Sequence, residues 1–235
     1  MFKYETHLHT SPVSACASAS VRESVEFYKR MGYDGVFITN HFVGANINLS
    51  IREEPYEKQL EFYFSDYHTA KRIGDEIGIK VFPGVELSYK GADFLIYGLS
   101  EEWYYEHPEI MEMKKTDELT LMMEEGALVI QAHPFRERGY INHIRLFPRH
   151  VHGVEVMNIC NLPGENAMGE LYAKHYELSR FAGSDNHVAG NLKNLAGMCS
   201  EAPVNSVEEF IRMYLEGKLK IFTFENPEAD ETAKP

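Results

Sequence analysis

The sequence predicts an α/β protein with a mostly parallel sheet, in a number and order of elements that suits a closed β/α barrel better than a two-layer domain. Two observations carry this. Short apolar runs of strand length alternate with longer amphipathic stretches seven or so times, and metal-capable residues stand just past several of the short runs. The length agrees: 235 residues fit one barrel-sized domain, here 1–225, with a polar tail at 226–235 expected to be flexible. A chain of this size buries roughly 70% of its unfolded surface, so its core needs no disulfide.

The elements follow in order. Residues 3–8 open as a strand. Ser20 and Glu23 form a capping box that starts a helix through Val21, Val25 and Tyr28, and Gly32 ends it. The run 36–39 is the next strand. A long helical stretch covers 57–77, and strands follow at 79–82 and 94–97. A helix at 117–125 precedes a strand at 128–131, and another strand lies at 154–157. Residues 165–178 form a helix that places Leu171, His175 and Leu178 on one face. A strand at 181–183 comes next. Ser206 with Glu209 caps a last helix that stops at Gly217, before a terminal strand at 220–224.

Composition removes several function classes. Thirty-six acidic against 23 basic residues give a net charge of −13, which weighs against a general nucleic-acid binder because backbone phosphates demand a basic face. A phosphate substrate held through metal ions stays open, since the ions bring the positive charge. No run is apolar enough to span a membrane, and MFKYETHLHT lacks the pattern of a signal peptide, so a cytoplasmic protein is expected. Cys16, Cys160 and Cys199 are odd in number and far apart, and offer no disulfide framework.

The chemistry is positional. His7 and His9 end the first strand, His41 ends VFITNH, Glu86 follows the third strand in FPGVELS, His133 follows ALVIQA, and Asp185 and His187 follow RFAGS. In β/α barrels such residues converge on one mouth. His7 and His9 are two apart on an extended segment and share a face. Imidazole and carboxylate together suit zinc, manganese or iron, and a carboxylate such as Glu86 can bridge two ions. Arg136, with Arg138 as the alternative, is placed to clamp a phosphate. Asn158 and Asn161, at another strand end, are candidate donors to a substrate oxygen.

HLHT, TNH, GVELS, QAHP and GSDNH, in this order, resemble the motifs of the PHP (polymerase and histidinol phosphatase) phosphoesterase family over roughly positions 4 to 200. The resemblance implies a distorted (β/α)7 barrel with two or three divalent ions in its mouth. It implies metal ligation by His7, His9, His41, Glu86, His133, Asp185 and His187. Three positions depart from the family pattern. Where an acid is usual after the first motif, TSPVSACA offers Ser14 or Cys16. TDH is here TNH, so Asn40 brings no charge and can only hydrogen-bond, to substrate or neighbours. A usual histidine is Asp93, kept as a ligand because aspartate serves as well.

The activity so implied is hydrolysis of a small phosphomonoester by water activated toward hydroxide between the ions, with Asp185, His187 and Arg136 as catalytic groups. These 235 residues leave no room for a polymerase or nuclease module, so a free-standing histidinol-phosphatase-like or nucleotide phosphatase is expected. Two rivals stand beside it. A metal-dependent amidohydrolase also uses HxH and a late Asp, though no lysine sits at a matching strand end. A metal-binding regulatory protein with decayed catalysis is the other, suggested by Asn40 and Ser14. Substrate identity and oligomeric state are not encoded in any motif found; the loops 42–55, 104–115 and 136–149 would set specificity.

Overall fold

The computed structural model describes residues 1–229. The sheet residues fall into ten strands: β1 Phe2–Glu5, β2 Gly35–Ile38, β3 Lys80–Pro83, β4 Val85–Tyr89, β5 Ala92–Tyr97, β6 Leu128–Ala132, β7 Gly153–Asn158, β8 Ser179–Gly183, β9 Asn194–Ser200 and β10 Lys220–Glu225. Six helices connect them: α1 Val21–Arg30, α2 Tyr56–Ile77, α3 Glu101–Glu106, α4 Lys115–Glu124, α5 Pro163–Tyr176 and α6 Val207–Leu215. The capping box at Ser20 forms as expected, Ser20 accepting from the Glu23 backbone while Glu23 accepts from that of Ser20.

The strands form two five-stranded sheets, ordered β10-β9-β1-β2-β3 and β4-β5-β6-β7-β8, and no continuous ladder closes a barrel among the described residues. This corrects the expected (β/α)7 barrel, and the reason is local. β4 and β5 form an antiparallel hairpin, so the parallel ladder of β2 and β3 does not run on into β4; a single bridge, His41 to Glu86, joins the sheets there. On the other side β9 pairs antiparallel with β1, and β8 reaches β1's extension only through the bridge Leu8 to Asn186. Half of the strand pairings are antiparallel, against the mostly parallel sheet expected. The fold is mixed α/β.

Strands β4 and β9 and helix α3 are additions to the elements expected. β4 follows β3 after only Gly84, too close to be separated by a turn signal. β9 is rich in small residues, and Gly197 has no room for a side chain: a Cβ there would sit 2.1 Å from the Tyr4 carbonyl oxygen.

Side chains from both sheets meet in one core, among them Tyr4, Phe37, Phe82, Leu95, Tyr97, Ile130 and Phe181, with Phe210 and Tyr214 of α6 packed into it. α1 and α2 cover the first sheet through Val25, Tyr28 and Ile73. α5 lies on β7 through Tyr172 and Ala173. Its buried face also carries Gly169, whereas Leu171 is 59% exposed and His175 is exposed too, so of the expected face only Leu178, just past the helix end, packs. Small residues let the helix approach: a Cβ on Gly169 would already touch the Glu155 carbonyl oxygen at 3.4 Å. Of the tail, Asn226 is buried and bonded to Lys193, Gly190 and Leu192, while 230–235 lie outside the described residues.

Candidate metal centre

The strand ends do converge. His7 and His9 stand just past β1, His41 past β2, His133 past β6, and Asp185 and His187 past β8. Glu86 and Asp93 arrive differently. Each is the second residue of its strand, β4 and β5, and Asp93 pairs with Ala132 because β5 runs antiparallel to β6. The antiparallel hairpin therefore brings the start of β5 to the same mouth as the end of β6.

Glu86 is the hub. Its Oε1 lies 3.1 Å from His7 Nε2 and 3.2 Å from His133 Nε2; its Oε2 lies 3.3 Å from His9 Nε2 and 2.7 Å from His41 Nδ1. Asp185 Oδ1 is 3.4 and 3.3 Å from the same Nε2 atoms of His7 and His9, which are themselves 3.1 Å apart. Asp93 stands further out, 3.9 Å from His133 Nε2. Three sets of ligand atoms lie close enough to share an ion: His7, His9 and Asp185; His7, Glu86 and His133; and His9, His41 and His187.

The outer partners decide which atoms carry protons. His7 Nδ1 donates to Glu155 Oε1 at 3.0 Å. Ser14 Oγ donates to Asn40 Oδ1 at 2.9 Å and so accepts from His9 Nδ1 at 3.1 Å. In the neutral imidazoles both Nε2 atoms are then bare lone pairs, facing each other and carboxylate oxygens that are likewise acceptors only. Buried acceptors packed against acceptors repel unless a metal ion, or in its place a proton on His7, lies among them. Glu86 Oε2 and His41 Nδ1 tell the same story: both are buried, close, and without a hydrogen bond. The nitrogen and oxygen donors fit divalent ions of the zinc, manganese or iron type.

The electrostatics follow from this crowding. Burial alone would lower His7, yet Asp185, Glu155 and Glu86 hold its imidazole well above the usual value. Burial, with the His187 and His41 imidazoles beside it, pushes His9 well below. Burial opposes the charge on Glu86, but His41, His7 and His9 keep it ionised far into acid. Burial and the nearby Glu86 raise Asp93. His133 and Asp185 both have positive φ, 27° and 55°, a backbone state that costs energy in a non-glycine residue and gathers at functional sites.

The four expected substrate contacts each bond to protein groups. Arg136 donates from Nη2 to Asp185 Oδ2 at 2.6 Å and Asn158 Oδ1 at 2.9 Å, and from Nε to Asn161 Oδ1 at 2.9 Å. Asn158 and Asn161 thus hold the guanidinium. Asn40 is buried and bonded to Thr10, Ser14 and Asp66. Arg138 pairs with Glu165. Two residues that hold ligands escaped the reading of the sequence: Glu155, which also accepts from the His133 backbone, and Ser14 in its orienting role. The signal for Glu155 was an acid inside the apolar strand GVEVMN, where a charge must be paired. A cavity of about 850 Å³ lies outside the cluster, lined by Asn158 and Asn161 on one side and Phe224 on another.

No protein-family model and no curated protein matches the sequence. Solved structures do match. A two-domain protein from Bacteroides vulgatus, described as containing a predicted PHP-like metal-dependent phosphoesterase, superposes with a TM-score of 0.68 at 15% identity, over 94% of this chain and 64% of that one. PsfC from Pseudomonas syringae gives 0.60 at 14% identity over 95% and 92%. An amidohydrolase from Chromobacterium violaceum, with bound sulfate and no metal, gives 0.52 at 12% identity over 93% and 97%. This chain spans under two thirds of the Bacteroides protein. What these likenesses establish is a fold shared with PHP-like metal-dependent phosphoesterase structures.

Proposed function

We propose that the protein is a metal-dependent phosphoesterase that hydrolyses a small phosphomonoester at a centre of two or three divalent ions. The observation that carries this reading is the convergence of His7 Nε2, His9 Nε2, Glu86 and Asp185 Oδ1 in one buried cluster. His7, His9, Glu86 and Asp185 would hold one ion, Glu86, His133 and Asp93 a second, and His41 and His187 a third. Bound there, zinc, manganese or iron would supply Lewis acidity toward water and phosphate oxygens.

The chain's own residues do the rest. Glu155 and Ser14 fix the tautomers of His7 and His9. Arg136 keeps Asp185 ionised and aimed, and its Nη1, outside the bonds to Asn158, Asn161 and Asp185, is the donor left for a phosphate oxygen. His41 and His187, with side chains 15% and 21% exposed, mark the side from which substrate arrives. The described residues include no helix long and apolar enough to cross a membrane.

Phosphate release from a panel of phosphomonoesters, with Mn²⁺, Zn²⁺ or Fe²⁺ supplied and EDTA as control, tests the proposal. Metal-dependent release, lost in Asp185→Ala and His9→Ala with circular dichroism unchanged, is the expected result. Residual activity above roughly a tenth of wild type in those variants overturns the assignment, since loss of a metal ligand abolishes the electrostatics of the site. The amidohydrolase reading is kept because of the likeness to the Chromobacterium protein. Amine release without phosphate release favours it.

A further inference from the structure

His7 and His9 are backed differently. A carboxylate, Glu155, lies directly against His7 Nδ1, whereas His9 Nδ1 meets the hydroxyl of Ser14. A second carboxylate stands behind that hydroxyl. Asp66 of α2 is buried, and among the described residues its hydrogen bonds come from neutral donors: Thr10 Oγ1 at 2.7 Å, Asn40 Nδ2 at 3.2 Å and the Val13 N–H at 3.3 Å, all on Oδ2. A buried acid is a costly anchor if it only pins a loop.

The directions of the bonds give it a further role. The carboxylate oxygen only accepts, so Thr10 Oγ1 and Asn40 Nδ2 donate to it. Thr10 Oγ1, its proton given to Asp66, accepts from Asn40 Nδ2 at 2.9 Å. Asn40 Oδ1 is thereby turned to the Thr10 N–H at 2.7 Å and the Ser14 hydroxyl at 2.9 Å. Ser14 gives its one proton to Asn40 and accepts from the His41 N–H at 3.0 Å, which leaves its other lone pair for His9 Nδ1–H. Every bond of the relay from His9 to Asp66 points toward the acid.

We propose that Asp66 is a positioning residue for the metal centre: through Asn40 and Ser14 it draws the His9 proton to Nδ1 and leaves Nε2 to face the ion, an assignment that rests on the metal-centre reading above. The relay also explains the amide at position 40. A link between an acid and a hydroxyl must donate on one side and accept on the other, as an amide does. An acid at 40 would stand 3.2 Å from Asp66, where two buried carboxylates cannot both ionise.

The experiment reads the imidazole N–H signals of the Zn²⁺-loaded full chain by proton–nitrogen correlation NMR, with Zn²⁺ affinity by calorimetric titration. In wild type, His7 and His9 each show an Nδ1–H signal protected from solvent exchange. In Asp66→Ala the His9 signal shifts and exchanges faster, while that of His7, held by Glu155, stays. Zn²⁺ binds about tenfold more weakly, the low end for a group that supports a ligand, because two side chains intervene. Asp66→Asn keeps an oxygen for the same donors and recovers both readouts. Should Asp66→Ala not fold, Asn40→Ala cuts the same relay one link nearer the site and gives the same pattern. A His9 signal unchanged in the alanine variant, or His7 and His9 disturbed alike, overturns the role of Asp66 and leaves the metal centre standing. Histidine signals of wild type that do not respond to Zn²⁺ overturn the metal centre with it.

Discussion

Arg136 Nη2 donates to Asp185 Oδ2 at 2.6 Å, while Oδ1 of the same carboxylate faces the Nε2 atoms of His7 and His9. One oxygen is anchored and the other aimed. Burial opposes the charge on Asp185, but His7 and Arg136 hold its carboxyl well below the usual range. The guanidinium is itself fixed by Asn158 and Asn161, so a residue expected from its spacing to clamp phosphate is built into the support of a ligand.

Arg136→Lys separates the two roles. Lysine is a point charge and cannot span Asn158, Asn161 and Asp185 at once. Support of a metal ligand is worth about 10–100-fold in affinity or activity. Metal affinity and kcat should fall by that order, with KM moving less. A raised KM at unchanged metal affinity would show a phosphate clamp instead.

Glu155→Ala strips the acceptor from His7 Nδ1, the His133 backbone and Asn158 Nδ2 together. Calorimetric titration with Zn²⁺ should show about 10–100-fold weaker binding. Glu155→Gln, which keeps an oxygen for His7 Nδ1, should lose less. Equal affinity in the alanine variant would mean that His7 is oriented by its strand alone.

Much of this site was legible because it hangs on strand ends: His7, His9, His41, His133, Asp185 and His187 each follow an apolar run that becomes a strand. Glu86 and Asp93 were found by motif, but their placement within β4 and β5 was not, since a hairpin following one residue after β3 leaves no turn signal to read. The supports were harder. Ser14 and Asn158 act through bonds to residues 5 to 27 positions away, and no periodicity encodes such a pairing. The face of α5 was misread for a different reason. Bulky side chains were followed, whereas the helix seats through Gly169 and Ala173, where the absence of bulk permits contact.

Removing metal should cost stability. A cation that binds the folded cluster and not the unfolded chain adds about 2.7 kcal/mol per site at 100 times its Kd. For a chain of this size each kcal/mol moves Tm by about 2–4 °C, so Zn²⁺ or Mn²⁺ should raise Tm by about 5–10 °C over the EDTA-treated protein. Differential scanning calorimetry measures it directly, and the gain should shrink in His7→Ala. A Tm indifferent to EDTA and to added metal would remove the case for a resident ion.

Glu5 gives the metal-free protein a pH dependence of its own. It is fully buried, and its Oε1 accepts from the backbones of Thr6, His7 and Ser184 at 3.0, 2.9 and 2.9 Å, tying the β1 and β8 ends together. Burial pushes the carboxyl up to about 7, against the pull of Ser184 and the His7 backbone. The folded state therefore holds a proton that the unfolded chain releases near its ordinary value of 4.5. More protons on the folded side mean that stability from this group is complete below the unfolded value and falls as pH rises toward 7, by up to about 3 kcal/mol. Glu5→Gln keeps an oxygen for the three N–H groups and never ionises. Urea unfolding in EDTA between about pH 5 and 8 should show Glu5→Gln gaining on wild type as pH rises, then levelling above about 7. A gap that stays flat across that range would mean Glu5 enters the folded protein already ionised, with its charge met by a partner other than these backbone donors.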